Sequence, residues 1–463
     1  MPGFDLNVER VLEHWKVEHG LRELIANALD EAALTGTTDP LIEKAPDGCW
    51  HVRDFGRGLR YEHLTQNEDP EKRRHADLVV GKFGVGLKDA LATLDRRGAR
   101  VVIRSRHADM TLARQAKHGF ADLKTLHVLV DPPSDPSLVG SDVAVDGIRD
   151  EDVAAAKALF LRYSGDELLE RTGLGSVLRR PKGAAGRIYV NGLRVAEEAN
   201  FLFSYDITSL TKRLRDALNR ERSNVGRTAY ADRVKAILLA TASQEVADML
   251  AADLRGYETG KWHDETSSYV DVQLHACQIL NAAEKVVFLT SWEIASRPAD
   301  VSHAKEDGYR IVTVPDELRR KLGGAIDVGG NPIVDLGTFR EQWNESFAFK
   351  LVDEKDLNEK EHAIFARTRD IIAFQGAYPR HVKSIQISET MRTNASGTGE
   401  VVGCWDAENA RVVIRRDQLT SSPTYAGTLL HEVTHAASGT EDLSPEFEDA
   451  LTSTLGAVAA RYL

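Results

Sequence analysis

The sequence predicts an α/β multidomain protein. At 463 residues the chain is long enough for about three domains of ordinary size. Helical and strand-like patterns succeed one another along its whole length. With 42% hydrophobic residues it has the material for several buried cores. The patterning divides it into segments at 1–150, 151–262, 263–340 and 341–463.

The first segment opens with two amphipathic helices. Val11, Leu12 and Trp15, then Leu21, Leu24, Ile25, Ala28, Leu29 and Ala32, fall at helical spacing between residues 5 and 35. A loop by composition, 35–40, leads to a short strand pair ending in Trp50-His51-Val52-Arg53-Asp54 and then to a Gly-rich turn. Residues 60–80 are polar and charged. Gly81-Lys82-Phe83-Gly84-Val85-Gly86 then runs into a second helix, Leu87 to Leu94, and alternating stretches at 100–104 and 125–130 read as sheet strands. From 150 to 260 the pattern is helix, strand, helix, with Arg187 to Gly192 a strand entering a turn, and the polar stretch Gly256 to Glu265 marks a boundary. Residues 285–315 suit a small βαβ unit. The last segment reads as helix (358–374), strand (383–388), a hairpin through Cys404-Trp405-Asp406 to Val412-Val413-Ile414, and two helices.

Charge and cysteine usage narrow the function classes. Fifty-nine Lys and Arg against 71 Asp and Glu give a net charge of −12, so the chain lends no support to non-specific binding of phosphate backbones, although a local basic groove is compatible with that total. Cys49, Cys277 and Cys404 form no CxxC pair, which argues against a disulfide framework and a cysteine zinc site and fits a cytoplasmic location. The first residues lack the layout of a signal peptide, and no apolar run is long enough to cross a bilayer.

Two constellations carry chemistry. Glu23, Asn27 and Asp30 lie at i, i+4 and i+7 and share one helical face. They are followed by Asp54-Phe55-Gly56-Arg57-Gly58 at a strand end and by Gly81-Lys82-Phe83-Gly84-Val85-Gly86-Leu87-Lys88 at a helix start. Those glycines allow close backbone approach, and the helix start offers free N–H groups to phosphate. Neither loop is a P-loop. In order and spacing these boxes resemble the GHKL ATPases, in particular the branch of the heat-shock chaperone, MutL and MORC. The resemblance implies a Bergerat-fold α/β sandwich that binds ATP and Mg²⁺. Glu23 would polarise the attacking water and Asn27 would bind Mg²⁺. Asp54 would accept the adenine amino group, Gly56 and Gly58 would shape the base pocket, and Gly84, Val85 and Gly86 would wrap the phosphates, in a loop that also holds Lys82, Leu87 and Lys88. Residues 59–80 would form the ATP lid. Gly140-Ser141 resembles the family's last box, with Ser in place of Thr. Residues 151–262 would be a transducer-like α/β domain, with Lys212, Arg222 and Lys235 as candidates for contact with the γ-phosphate.

The second constellation is His431-Glu432-Val433-Thr434-His435, which sets two imidazoles one turn apart on a helix, able to share one Zn²⁺. The run Ala410 to Arg415 ahead of it suits an edge strand that pairs with an extended peptide. Gly439 can end the helix, and Ser444-Pro445 can start another. This order resembles the gluzincin metallopeptidases and implies a mainly helical α+β zincin-like domain whose third ligand lies on the second helix. Glu448 is the first choice, Glu446 the second and Asp442 the third. Glu432 would be the general base. Tyr425 and Arg411 are candidate electrophiles outside any motif, and His362 and His381 read as ordinary histidines.

Together the two constellations imply an ATP-gated zinc metallopeptidase acting on a protein or peptide substrate, with a nucleotide-dependent homodimer expected by analogy and a small α/β linker domain at 263–340. The alternative is a chaperone-like or DNA-clamping ATPase with a zinc-binding interaction module. Fusion of a switch to a hydrolase further suggests a conflict system, such as antiphage defence, with a regulatory protein partner.

Overall fold

Leu21, Leu24, Ile25, Ala28 and Ala32, spaced as a helix requires, are all buried on helix α1 (Val17–Thr35), which ends where Gly36 adopts a φ of 64°. This computed structural model describes residues 3–6, 12–64, 72, 74–75, 79–80, 86–117, 120–218, 225–374, 379–394 and 398–461. The chain divides into two compact units, Met1–Ala276 and Cys277–Leu463.

The first unit contains a seven-stranded sheet. Its strands are β1 (Gly3–Asp5), β2 (Leu41–Lys44), β3 (Trp50–Arg53), β4 (Arg100–Ser105), β5 (Asp109–Lys117), β6 (Phe120–Asp131) and β7 (Ser141–Asp146). They are ordered β1-β6-β5-β4-β7-β3-β2, and every pair is antiparallel. Helices α1, α2 (Gly86–Arg96) and α3 (Asp150–Lys157) pack over this sheet, with Val52, Val101, Ile103, Met110, Val128 and Val145 in the shared core. A Cβ on Gly20 would lie 3.0 Å from Leu94 Cγ, so glycine lets α1 and α2 approach.

The opening of the chain departs from expectation. Among the described residues one helix, not two, precedes β2. Gly3–Asp5 pairs with β6, and Leu12 to His14 form a turn that brings Trp15 against His19. Strand pairing with β6 takes Asp5, the first residue of that stretch, out of any helix. Residues 7–11 lie outside the described residues.

A second sheet follows in the same unit: β8 (Leu168–Arg171), β9 (Gly175–Arg179), β10 (Gly186–Val190), β11 (Leu193–Glu198) and β12 (Phe203–Ile207), ordered β11-β10-β12-β9-β8. Only β10 and β12 are parallel. The polar stretch at 256–265 is part of this unit and not its boundary. Glu265 is fully buried and accepts hydrogen bonds from the N–H groups of Leu202 and Phe203 and from the Tyr205 hydroxyl at 2.9 Å. A carboxylate so deeply tied holds its segment to the sheet.

In the second unit β13 (Val286–Leu289) and β14 (Arg310–Thr313) pair in parallel, joined through helices. A four-stranded sheet comprises β15 (Leu351–Val352), β16 (Ser384–Ser388), β17 (Gly403–Asp406) and β18 (Arg411–Arg415), ordered β15-β16-β18-β17. The expected edge strand, Ala410 to Arg415, is therefore interior. β18 is parallel to β16 on one side and antiparallel to β17 on the other, and Val412, Val413 and Ile414 are fully buried. β17 is the edge. No helix among the described residues is long and apolar enough to cross a membrane.

Candidate functional site

The first unit holds a cavity of about 600 Å³ beside α1, β3 and the start of β7. Leu24, Ala28, Val52, Leu59, Leu87 and Val143 supply apolar lining, and Arg57, Arg60, Lys72 and Arg74 supply cationic groups, of which Arg57 is paired with Glu31 and Lys72 with Asp30. Asn27, Asp54, Gly58 and Ser141 also line it. A lining that mixes apolar side chains with cationic ones suits a ligand with an apolar part and anionic groups.

The Asp54 carboxylate is buried. Burial pushes its pKa up, and the Gly56 N–H donating at 2.9 Å opposes that shift. Gly140, at φ 80°, passes so close that a Cβ would lie 2.0 Å from the Asp54 carbonyl oxygen. Ser141 fixes the same loop: its carbonyl accepts from Asp54 N–H at 2.9 Å and its hydroxyl from Leu59 N–H at 2.8 Å. Gly58 has a φ of 87°, and a Cβ on Gly56 would collide with the Glu31 carboxylate.

Glu23 is not among the residues lining the cavity. It is buried, ion-paired with Arg22 at 2.9 Å, and lies against the start of α2, where a Cβ on Gly86 would be 2.3 Å from its Oε2. Lys88 is buried on α2. Lys82, Gly84 and Val85 lie outside the described residues, as do most of 65–85. Two features of the cavity had no sequence motif. Glu31 accepts from the Arg57 backbone N–H and from its guanidinium at 2.8–2.9 Å. Lys72 donates to Asn27 Oδ1 at 3.1 Å and to Asp30 Oδ2 at 2.7 Å, and Asp30 Oδ1 accepts from Val80 N–H at 2.6 Å. Among the transducer candidates, Lys212 is exposed, Lys235 is paired with Asp271 at 2.8 Å, and Arg222 is outside the described residues. Asn191 instead reaches Val79, donating to its carbonyl at 3.2 Å.

In the second unit the helix Ser422–Ser438 starts at the N-cap Ser421 with a Pro in its first turn and ends at Gly439, φ 67°. It carries His431 and His435 with their Nε2 atoms 3.2 Å apart. Asp442 Oδ1 lies 3.2 Å from both. Of the His, Cys, Asp and Glu side chains among the described residues, these three converge as a metal-holding group. His435 Nδ1 is 2.7 Å from the Thr440 carbonyl, to which it donates, and Nε2 is the nitrogen that faces the cluster. Burial lowers the His431 pKa, favouring its neutral form.

The structure thus brings Asp442, not Glu448 or Glu446, to the histidines. The chain turns back at Glu441 to Ser444, with Leu443 at φ 63°, and this aims Asp442 at the imidazoles. The final helix (Pro445–Ala459) then presents Phe447, which stacks on His435 at 4.0 Å. A helix turns about 100° per residue, so Glu446 and Glu448 point elsewhere, and both are exposed.

Glu432 is buried against β17. Burial, and then the Asp442 charge, pushes its pKa up to about 8, opposed by the Trp405 N–H. A Cβ on Gly403 would be 2.8 Å from Glu432 Oε1, so the edge strand can lie this close only with glycine there. Neither expected electrophile is available. Tyr425 is a core residue whose hydroxyl meets Thr368 at 2.7 Å, and Arg411 is held by Asp406 at 2.8 Å. His362 pairs with Glu354 on the surface, and His381 contacts the Ala436 carbonyl.

Comparison with known proteins adds kinship. Over 239 residues, 50% of this chain and 95% of the relative, the sequence is 36% identical to an uncharacterized protein of Mycoplasma pneumoniae (strain ATCC 29342 / M129 / Subtype 1). The chain belongs to that protein's family. A second uncharacterized protein of the same organism is 23% identical over 348 residues, 70% of this chain and 96% of its own length. Residues 151–244, which include the five-stranded sheet, match the family described as the Mycoplasma pneumoniae MPN635 N-terminal domain.

Proposed function

We propose that this protein is an ATP-gated zinc metallopeptidase, with a GHKL-type Bergerat nucleotide site in its first unit and a zincin-like site in its second. The observation that carries the reading is the convergence of His431, His435 and Asp442 at 3.2 Å, with Glu432 buried beside them. Two imidazole nitrogens and one carboxylate are a donor set that suits zinc, and the His435 ring, donating through Nδ1 with Nε2 facing the cluster, supports it. Zinc held by these three residues would supply a polarised water. Glu432, ionised beside that cation, would take up a proton at its carboxylate and return it to the leaving amine, held in place by Gly403 and the Trp405 N–H.

Support for the nucleotide half comes from the cavity. A buried Asp54 carboxylate suits the amino group of adenine, the apolar side chains of the lining suit its ring, and the cationic ones suit phosphate. Asn27 would hold Mg²⁺, and Glu23 would orient the attacking water once nucleotide is bound.

The test is cleavage of an unfolded casein-like substrate by zinc-loaded full-length protein, with and without Mg-ATP, beside Glu23→Ala and Glu432→Gln. Cleavage that requires Glu432 and changes with ATP in wild type but not in Glu23→Ala is expected. Zinc-loaded protein that cleaves nothing with or without ATP overturns the peptidase half, and failure to bind ATP overturns the gating half. Light scattering with Mg-ATP then tests the expected homodimer.

A further inference from the structure

The Asp30 side chain is completely buried, yet two of its partners are fixed: the Val80 N–H on Oδ1 and the Lys72 ammonium on Oδ2. The same ammonium, itself only 13% exposed, also donates to Asn27 Oδ1. One Nζ therefore sits at 2.7 and 3.1 Å from two oxygens one helical turn apart on α1. A hard divalent cation prefers such a pair, a carboxylate and an amide oxygen, with water completing its shell.

Buried carboxylates are stable only with a cation or strong donors at hand, and at Asp30 Lys72 supplies the cation beside the Val80 N–H. We propose that Lys72 is the resident cation of the Asn27–Asp30 site, occupying the place that a divalent ion takes when metal-bound nucleotide enters the cavity. This rests on the nucleotide reading above for the identity of the competitor, but the exchange itself is a property of three side chains. Ammonium and metal exclude one another because both need the same oxygens. The Asp30 charge is thereby balanced by Lys72, and divalent ions without nucleotide are refused.

The experiment uses the full chain without nucleotide and follows thermal unfolding against MgCl₂. Mg²⁺ is chosen because imidazole ligands such as His431 and His435 have little affinity for it. Wild type should not respond. Lys72→Met should melt lower and be restored by Mg²⁺, with a half-point at least about tenfold below any wild-type response, since a site occupied most of the time by a competitor loses that factor in affinity. Lys72→Met/Asp30→Asn, which removes both charges, should fold and ignore Mg²⁺. An equal Mg²⁺ response in all three proteins overturns the proposal. So does Lys72→Met protein that stays unfolded, or stays at its lowered melting point, at every Mg²⁺ concentration. Loss of ATP binding in wild type would instead strike the nucleotide reading and leave this titration standing.

Discussion

Gly403→Ala isolates the contact between the edge strand and Glu432. Gly403 lies in β17 outside the left-handed region, so alanine there carries no backbone strain. The cost is steric. The new methyl would stand 2.8 Å from Glu432 Cγ, Glu432 Oε1 and Thr428 Cγ2, three atoms on one face of the histidine helix. Carbon contacts relax only near 3.5–4.0 Å, so strand and helix must part by roughly half an ångström or more. Glu432 is buried and Thr428 is tied to Gln418 at 3.1 Å, which leaves little room for a side-chain escape. Overpacking of this kind costs about 1–3 kcal/mol. For a unit of this size that corresponds to a fall of roughly 2–4 °C in melting temperature per kcal/mol. On the proposed peptidase reading, displacement of the Glu432 carboxylate by a comparable distance should lower turnover by up to about a hundredfold. Zinc content, by contrast, should be unchanged, because the atoms nearest the new methyl belong to Glu432 and Thr428 and not to His431, His435 or Asp442. Calorimetry, zinc analysis and turnover on one preparation decide it. An unchanged melting temperature with full turnover would refute the close packing of β17 on Glu432.

Three further outcomes follow from the same structure. Asp442→Ala should weaken zinc binding by at least about a hundredfold, no less than loss of an outer hydrogen-bond partner costs, while Glu448→Gln leaves it unchanged; the reverse result in a competition titration would return the third ligand to the final helix. Glu265→Ala strips the acceptor from Leu202, Phe203 and Tyr205 inside the five-stranded sheet, so urea unfolding should show a loss of about 3 kcal/mol or more, and a change within about 0.5 kcal/mol would contradict the burial of that network. Burial opposes the Glu31 charge, but the Arg57 side chain and N–H outweigh it and hold its pKa below the ordinary 4.5. Because the folded value is the lower one, its stabilisation is complete above pH 4.5 and fades as pH falls through the folded value. Glu31→Gln should therefore flatten that acid limb, and an identical pH profile for the two proteins would argue against the fork.

What the sequence determined is what a single element encodes. Helical spacing alone puts His431 and His435 on one face, and Asn27 one turn from Glu23. Gly36 and Gly439 end their helices because a left-handed φ is cheapest for glycine, and Ser444 caps the last helix through its hydroxyl. Hairpins such as β2–β3 and β17–β18 were legible for the same reason, since their pairing is between chain neighbours. The tertiary structure decided what depends on contacts distant in sequence or on the path of a turn. The choice of Asp442 over Glu448 hangs on the turn at Leu443 and on Phe447 taking the place beside His435. Whether β18 is an edge depends on β16 and β17 flanking it, which no periodicity within β18 records. Lys72 looked like one charge in a polar stretch and is a partner of Asn27 and Asp30, more than forty positions earlier. Glu265 looked like part of a linker and is the buried acceptor of the second sheet. Local geometry repeats every few residues and so can be read from spacing, whereas a charge is assigned its role by whichever distant group the fold sets beside it.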